Sequence, residues 1–250
     1  NNRKSVMLES IDLATKADKA TYTKDLPQLG HRLYTLQKAS WEARLPVVVA
    51  FEGWESRGQT QIVAKLTEWL DPRSFHFHPV RGPRSSERQR PWLWRFWLKL
   101  PSHGSLALFS PSWYGRVLVE RVGRRISAKE WKRAYGEIVD FERTLTDNGY
   151  LVVKFWLHLD EAEVQERFEK IRRHPYKAWD LTSLDRSYQR HYQAYCRAAE
   201  DMLAQTDTNN APWTLLAATD RRHARLRVFT TLIEALEGRL GLQSQAKKTA

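Results

Sequence analysis

The amino-acid sequence predicts an α/β fold in which a parallel β-sheet is covered by helices on both faces. Short apolar runs rich in β-branched and aromatic residues recur along the chain, and longer stretches with apolar residues at helical spacing separate them. Turn residues such as Pro46, Gly53 and Pro72 mark the boundaries between the two kinds of segment. Alternating strands and helices are typical of a parallel sheet, because each parallel connection needs a crossover.

Each strand is predicted from a run of apolar or alternating residues, and the runs assigned to strands are 47–51, 75–80, 106–109, 150–159 and 213–216. The first and third runs are continuously apolar, as in strands buried on both faces. The second run alternates, with His76 and His78 on one side, which indicates a half-exposed edge strand. A metal site at these two histidines is the alternative, but no cysteine or third spaced histidine accompanies them.

Apolar residues three and four positions apart predict the helices between these strands, for example Leu26, Leu29, Leu33 and Leu36. The predicted helices cover residues 24–44, 61–70, 92–100, 128–147, 160–172, 185–205 and 220–240. We predict a single domain over residues 21–242, with a flexible segment at 1–20 and a flexible tail at 243–250.

The composition excludes several classes of protein. Hydrophobic residues make up 42% of the 250 residues and charged residues 28%, which excludes a disordered acidic tail and a collagen-like repeat. Cys196 is the single cysteine, so an internal disulfide cannot form and a reducing compartment is expected. No apolar run approaches the roughly 18 residues that span a bilayer. We therefore expect a cytoplasmic protein without a membrane partner, and the lack of an initiator methionine is compatible with a segment of a longer chain.

The excess of positive charge is concentrated in one part of the chain. Lysine and arginine together number 41 against 29 acidic residues, giving a net charge of +12, and residues 81–125 hold ten basic residues against two acidic ones. Smaller basic clusters lie at 167–177 and 221–227. Because a guanidinium group fits two phosphate oxygens at once, the predicted partner is a polyanion. A solvated basic surface is the alternative interpretation.

The stretch from Gly53 to Thr60 has the pattern of a phosphate-binding loop. A buried strand precedes it, Gly53 and Gly58 are separated by four residues, and a helix follows. Backbone N–H groups of such a loop and the N-terminus of its helix attract anions. The usual pattern continues with lysine and a hydroxyl residue, whereas here the neutral Gln59 precedes Thr60. A tight strand-to-helix turn is the alternative to a phosphate-binding loop.

Ser110 directly follows the third predicted strand. In nucleoside triphosphatases with this order of strands and helices, a carboxylate that binds the metal usually follows that strand.

With these and further motifs, the sequence resembles the polyphosphate kinase 2 family over about residues 22–240. The segments that carry the resemblance are 47–60, 70–73, 86–88, 92–97, 112–122, 175–179, 211–213 and 221–225. The resemblance implies a P-loop kinase-like three-layer α/β/α sandwich with a helical lid at about 165–190. It also implies magnesium-dependent transfer of a phosphoryl group between polyphosphate and AMP or ADP.

The resemblance further implies roles for individual residues. The expected catalytic residues are Glu55, Arg57, Arg116 and Arg121. The expected phosphate-binding residues are Gly53, Gly58, Gln59, Thr60, Arg95 and Lys177, and the expected magnesium ligands are Glu55 and Thr60. The family pattern has aspartate in place of Glu55, lysine in place of Gln59 and aspartate in place of Ser110.

These substitutions lead to three hypotheses. Since one lost electrostatic contact typically slows a reaction by ~10²–10³, we predict a domain that binds polyphosphate or a nucleotide such as AMP, ADP or ATP and whose catalysis is impaired or, as in a pseudoenzyme, absent. An active phosphotransferase with a rearranged site built from Glu55, Arg57 and Thr60 is the first alternative. A basic nucleic-acid-binding domain is the second. We also expect a homo-oligomer or pairing with an active homologous domain.

Overall fold

The computed structural model describes residues 7–54, 56–176 and 181–242, and it describes only the backbone of residues 56 and 57. Within these ranges, five strands form one parallel sheet in the order β2-β3-β1-β4-β5. The strands are β1 (Val47–Gly53), β2 (Phe75–His78), β3 (Leu106–Phe109), β4 (Leu151–His158) and β5 (Trp213–Ala217). All seven residues of the central strand β1 are buried. The predicted α/β class and all five strands are confirmed, and β2 is an edge strand as expected.

Helices cover both faces of the sheet. The longer helices are α1 (Lys19–Glu42), α2 (Ser56–Thr67), α6 (Ala128–Asp147), α7 (Glu161–Arg173), α8 (Ser183–Arg190), α9 (Tyr192–Thr206) and α10 (Arg221–Leu240). Three helices are single turns: α3 (Ser85–Arg88), α4 (Trp94–Trp97) and α5 (Val119–Val122). Helix α10 packs against α1, α2 and the strands β4 and β5, whereas α6 packs against α9 and β4. The two groups of helices enclose the sheet as a three-layer sandwich.

Polar side chains define where the helices begin. Asp18, Ser127, Asp160, Thr182 and Asp220 are N-caps, each of which accepts a hydrogen bond from a backbone N–H of the first turn. These caps satisfy N–H groups that have no partner inside the helix. The starts of the long helices therefore follow from local sequence.

The structure corrects three predicted helices. The helix predicted over 92–100 is only the single turn α4. The helix predicted over 185–205 is divided at His191 into α8 and α9, and Tyr188, Tyr192 and Tyr195 all contact the ring of Trp54. Helix α2 begins at Ser56, so Gly58, Gln59 and Thr60 lie on its first turns and not in a loop before it.

Three predicted segments include residues outside the described ranges, and the tail predicted at 243–250 lies entirely outside them. In the segment predicted to be flexible at 1–20, Leu8 is only 5% exposed and its N–H donates a hydrogen bond to Glu200 Oε1 at 2.8 Å. The segment expected to form a lid contains the end of α7 and all of α8. Residues 177–180, between these two helices, lie outside the described ranges. Among the described helices, none combines the length and the hydropathy that crossing a bilayer requires.

Candidate phosphate-binding site

The loop after β1 is shaped by a close approach between two strands. Gly53 has φ +155°, and a Cβ atom at this position would lie 2.4 Å from the carbonyl oxygen of Leu157 on the neighbouring strand β4. No other residue fits without moving the sheet. The next residue, Trp54, is 2% exposed, stacks on Tyr192 with ring centroids 4.3 Å apart, and donates its indole N–H to His158 Nδ1 at 3.0 Å. The backbone of the loop is therefore anchored at its entry.

Two neutral side chains meet where the family pattern predicts opposite charges. Gln59 is 2% exposed on the first turns of α2, and its Nε2 donates to the carbonyl oxygen of Gly53 at 3.0 Å. The Ser110 hydroxyl donates to Gln59 Oε1 at 3.2 Å. The contact forms because β1 and β3 are parallel neighbours, so their carboxyl ends lie side by side. Sequence analysis singled out both residues, and the structure brings them together.

A buried carboxylate that sequence analysis missed lies at the end of β1, next to Gly53. Glu52 is fully buried, and its Oε1 accepts hydrogen bonds from the N–H and the hydroxyl of Ser112, both at 2.7 Å. Among the described residues, its Oε2 has no hydrogen-bond partner. Burial raises the pKa of Glu52 to about 7, against the smaller opposing effect of the Ser112 hydrogen bonds. The available signal was a single acidic residue at the end of an otherwise apolar strand.

A second buried carboxylate holds the segment after β3 from the other side. Glu142 Oε1 accepts hydrogen bonds from Trp113 Nε1 at 3.0 Å and from the Tyr114 hydroxyl at 2.7 Å. Its Oε2 pairs with Lys154 Nζ at 2.8 Å, and both side chains are almost fully buried. Burial lowers the pKa of Lys154 and raises that of Glu142, because it disfavours both charged forms. Glu52 and Glu142 together fix the backbone that carries Ser110.

Two of the three expected catalytic arginines are engaged in ion pairs. Arg116 pairs with Glu120 at 2.6 Å and with Glu130 at 3.3 Å. Arg121 pairs with Asp201 at 2.8 Å. Within the described ranges, no hydrogen bond joins either guanidinium group to Gln59 or Ser110. Their contacts fix α5 to α6 and α9, an arrangement that their positions in the sequence did not predict.

Arg95 contacts a basic surface beside β2, an edge strand of the sheet. Its side chain is 11% exposed, its Nη2 donates to the carbonyl oxygen of Arg81 at 2.8 Å, and its Nη1 lies 3.6 Å from Glu87 Oε2. The exposed arginines of this surface are Arg81, Arg84, Arg88 and Arg90. They follow β2, an edge strand of the sheet, in the sequence. We call these four residues the β2-edge basic surface.

The expected metal ligands are only partly within the described residues. Glu55 and Lys177 lie outside them, and the side chain of Arg57 is not described. Thr60 is exposed on α2 and supplies one hydroxyl. The described part of the chain contains no group of three or more histidine, cysteine or acidic residues that could hold a metal ion. Magnesium usually binds through carboxylates and substrate phosphates, so Thr60 alone does not make a magnesium site.

Both the sequence and the fold match known proteins. A family model described as polyphosphate kinase 2 matches residues 16–243. The polyphosphate:AMP phosphotransferases of Pseudomonas aeruginosa and Pseudomonas syringae pathovar tomato are 39% and 40% identical, over 92% and 95% of this chain but only 47% and 48% of their own lengths. The crystal structure of polyphosphate kinase 2 from Arthrobacter aurescens gives a TM-score of 0.89 at 26% identity, covering 99% of this chain and 91% of that one. The chain thus spans about half the length of the two curated relatives.

Proposed function

Because the chain belongs to the polyphosphate kinase 2 family, we propose that it binds polyphosphate and an adenine nucleotide but transfers phosphoryl groups slowly or not at all. Its relatives named polyphosphate:AMP phosphotransferase supply the substrate class. The observation that carries the proposed loss of turnover is the neutral contact between Gln59 and Ser110. The family resemblance places a lysine and an aspartate at these two positions.

The physical argument concerns charge at the transferring group. Phosphoryl transfer relies on correctly placed cations, because negative charge is concentrated around the reacting phosphorus. Gln59 offers an amide whose N–H already donates to Gly53, and Ser110 offers a hydroxyl that already donates to Gln59. Neither group carries a net charge. Each lost contact of this kind typically lowers the rate by ~10²–10³.

Anion binding depends less on these two side chains. The N-terminus of α2 presents backbone N–H groups and a partial positive charge, and neither depends on residue 59. The β2-edge basic surface lies on one side of the loop, and further arginines lie on the other side at the start of α10. Polyphosphate and nucleotides both offer the multiple phosphate oxygens that such a surface binds.

The predicted requirement for magnesium rests on the family resemblance. Among the described residues only Thr60 of the expected ligands is present, and it does not form a metal centre by itself. Nothing in the proposed binding mode depends on the metal.

A second domain would supply the phosphoryl transfer that this domain is proposed to lack. The two Pseudomonas relatives contain about as much chain outside the matched region as within it. We propose that this domain acts beside an active homologous domain, in the same chain or in another one, and contributes binding of the polyanion.

A paired measurement tests the proposed function. Isothermal titration calorimetry measures binding of polyphosphate, and product formation is measured with AMP and with ADP in the presence of magnesium. We expect binding without turnover at ordinary enzyme rates of about 1–10³ per second. Turnover in that range would mean an active phosphotransferase with a rearranged site. A third outcome would favour a nucleic-acid-binding domain instead: the protein binds single-stranded DNA in moderate salt, and polyphosphate does not displace the DNA.

A further inference from the structure

Helix α8 is held in the fold largely by one buried side chain. Among its eight residues, Ser183–Arg190, Tyr188 alone is buried, with 3% of its surface exposed. A helix of this length is not stable by itself in water, since isolated helices shorter than about 12–15 residues are marginal. Gln189 adds a polar contact with α7, where its Nε2 donates to Gln165 Oε1 at 2.7 Å. The packing of Tyr188 therefore supplies much of what keeps α8 in place.

Tyr188 packs on a residue of the loop after β1. Its ring contacts Trp54 edge to face, with centroids 6.1 Å apart, and Tyr195 of α9, with centroids 4.6 Å apart. Trp54 directly follows Gly53 at the end of β1 and is 2% exposed. Edge-to-face ring pairs contribute stability beyond the area that they bury. Part of the surface on which α8 docks thus belongs to the loop after β1.

The Trp54 ring has a fixed orientation. It stacks on Tyr192 of α9, and its Nε1 donates to His158 Nδ1 at 3.0 Å, where Trp156 Nε1 also donates at 3.3 Å. A ring nitrogen that accepts hydrogen bonds carries no proton, so His158 is neutral with its proton on Nε2. Burial lowers the pKa of His158 to about 4, which agrees with this state. Since α2 begins at Ser56, a shift of the Trp54 ring also shifts the backbone from which α2 starts.

We propose that Trp54 is a positioning residue that couples the loop after β1 to helix α8. Displacement of α8 removes the ring of Tyr188 from Trp54, and displacement of Trp54 removes part of the surface on which α8 docks. A ligand that binds only the ordered loop then stabilises α8 as well, because such a linkage is reciprocal. The coupling is a property of the fold, whereas its effect on phosphate binding rests on the proposed function.

Two buried tryptophans provide a matched pair of variants. Trp54→Leu and Trp156→Leu each remove an indole ring that is 2% exposed and donates to His158 Nδ1. Among the described residues, Trp54 has a ring contact with Tyr188 and Trp156 has none. Hydrogen–deuterium exchange of the α8 amides, followed by mass spectrometry without ligand, compares both variants with the wild type. We expect about 10-fold faster exchange in Trp54→Leu and less than about 3-fold in Trp156→Leu, and equal acceleration would overturn the inference.

A double-mutant cycle measures the coupling itself. Tyr188→Leu keeps an apolar side chain on α8 but removes the ring that meets Trp54. We expect the double variant to exchange hardly faster than Tyr188→Leu, since its two substitutions remove one shared contact. Circular dichroism checks that each variant folds, and Trp54→Phe, which keeps a ring for Tyr188, serves the same cycle if Trp54→Leu does not. Fully multiplicative effects of the two single substitutions on the exchange rate would overturn the inference.

Tripolyphosphate extends the test to the liganded protein. Calorimetry shows whether the wild type binds it, and exchange of the α8 amides is then compared with and without saturating ligand. We expect the ligand to slow this exchange at least about 3-fold more in the wild type and in Trp156→Leu than in Trp54→Leu. Equal protection in all three proteins would overturn the inference. If the wild type binds no tripolyphosphate, the proposed function fails, while the comparisons without ligand still decide whether Trp54 couples the loop to α8.

Discussion

The Ser110 hydroxyl donates a hydrogen bond of 3.2 Å to the Gln59 side chain, which in turn donates to the carbonyl oxygen of Gly53. This chain of contacts joins the carboxyl ends of β1 and β3 to the first turns of α2. Both the Nε2 and the Oε1 of Gln59 therefore have hydrogen-bond partners inside the protein, and the residue is only 2% exposed. Position 59 therefore stabilises the loop but brings no cation to a bound phosphate.

The double variant Gln59→Lys, Ser110→Asp should restore catalysis more than binding. The lysine supplies a cation beside the phosphate and the aspartate supplies both its counter-ion and a metal ligand. We expect turnover with AMP or ADP to rise by roughly 10²-fold or more, while polyphosphate affinity changes less than about 10-fold. Initial-rate kinetics and calorimetry on the same preparation measure the two effects.

The single variants serve as controls for this prediction. Gln59→Lys alone buries an ammonium group without a carboxylate at position 110, and we expect a loss of stability and little gain in turnover. A double variant that gains affinity but no turnover would show that positions 59 and 110 do not take part in the chemistry.

Substitution of Gly53 by alanine should destabilise the fold. The new Cβ atom would meet the carbonyl oxygen of Leu157 at 2.4 Å, so β1 and β4 would have to separate at the loop. We expect the free energy of unfolding to fall by at least about 2 kcal/mol. Gly136→Ala is the matched control, because its Cβ would meet nothing within 4 Å on helix α6 and should stabilise by about 0.5–1 kcal/mol. Urea denaturation measures both, and equal effects would contradict the steric argument.

The buried pair of Lys154 and Glu142 should show strong coupling. Lys154→Met leaves Glu142 charged and buried beside Trp113 and Tyr114, and we expect a loss of about 3–5 kcal/mol. Adding Glu142→Gln removes that charge and keeps an oxygen that accepts from both aromatic side chains. The double variant should therefore be more stable than Lys154→Met alone. Additive losses in chemical denaturation would show that the pair does not interact.

Glu52→Gln should change how stability depends on pH. The pKa of Glu52 is about 7 in the fold and 4.5 ordinarily, so the folded protein retains a proton that the unfolded chain has lost, and stability falls as pH rises between these values. The cost reaches on the order of 3 kcal/mol above pH 7. The variant lacks this cost, so its stability relative to the wild type should rise by that amount from pH 4.5 to pH 7. A difference that stays constant over this range would contradict the assignment.

His158 provides the opposing slope. Burial lowers the pKa of His158 from 6.5 to about 4, so acidification protonates the unfolded chain first and destabilises the fold. In the wild-type protein this effect and that of Glu52 act in opposite directions between pH 4.5 and 6.5. Thermal or chemical unfolding of Glu52→Gln should therefore show stability that increases with pH over this interval.

The strands could be predicted from sequence because their signal is local. Continuous apolar runs such as 106–109 have one reasonable interpretation between turn residues, and the structure confirms them. The break at His191 could not be predicted, because the sequence on both sides of it is helical, and the packing of three tyrosines on Trp54 is a contact that no local pattern shows. That contact joins elements far apart in the chain.

The same distinction applies to the candidate site. Gln59 and Ser110 could be singled out because a motif has a fixed spacing, but their hydrogen bond depends on the pairing of β1 with β3. The Arg116–Glu120 pair is a local i,i+4 contact, but the pairs of Arg116 with Glu130 and of Arg121 with Asp201 join residues that no local pattern connects. Glu52 was overlooked because its hydrogen-bond partner Ser112 lies 60 residues further along the chain.

The pairing of Arg116 and Arg121 with carboxylates has a consequence for how fast a ligand arrives. These two guanidinium groups are largely neutralised, whereas no described ion pair involves Arg81, Arg84, Arg88 or Arg90. Long-range attraction therefore owes more to the β2-edge basic surface than to Arg116 and Arg121. Added salt should slow the encounter with a polyanion much more than it speeds release, since screening acts on charges that are separated by water and exposed to it.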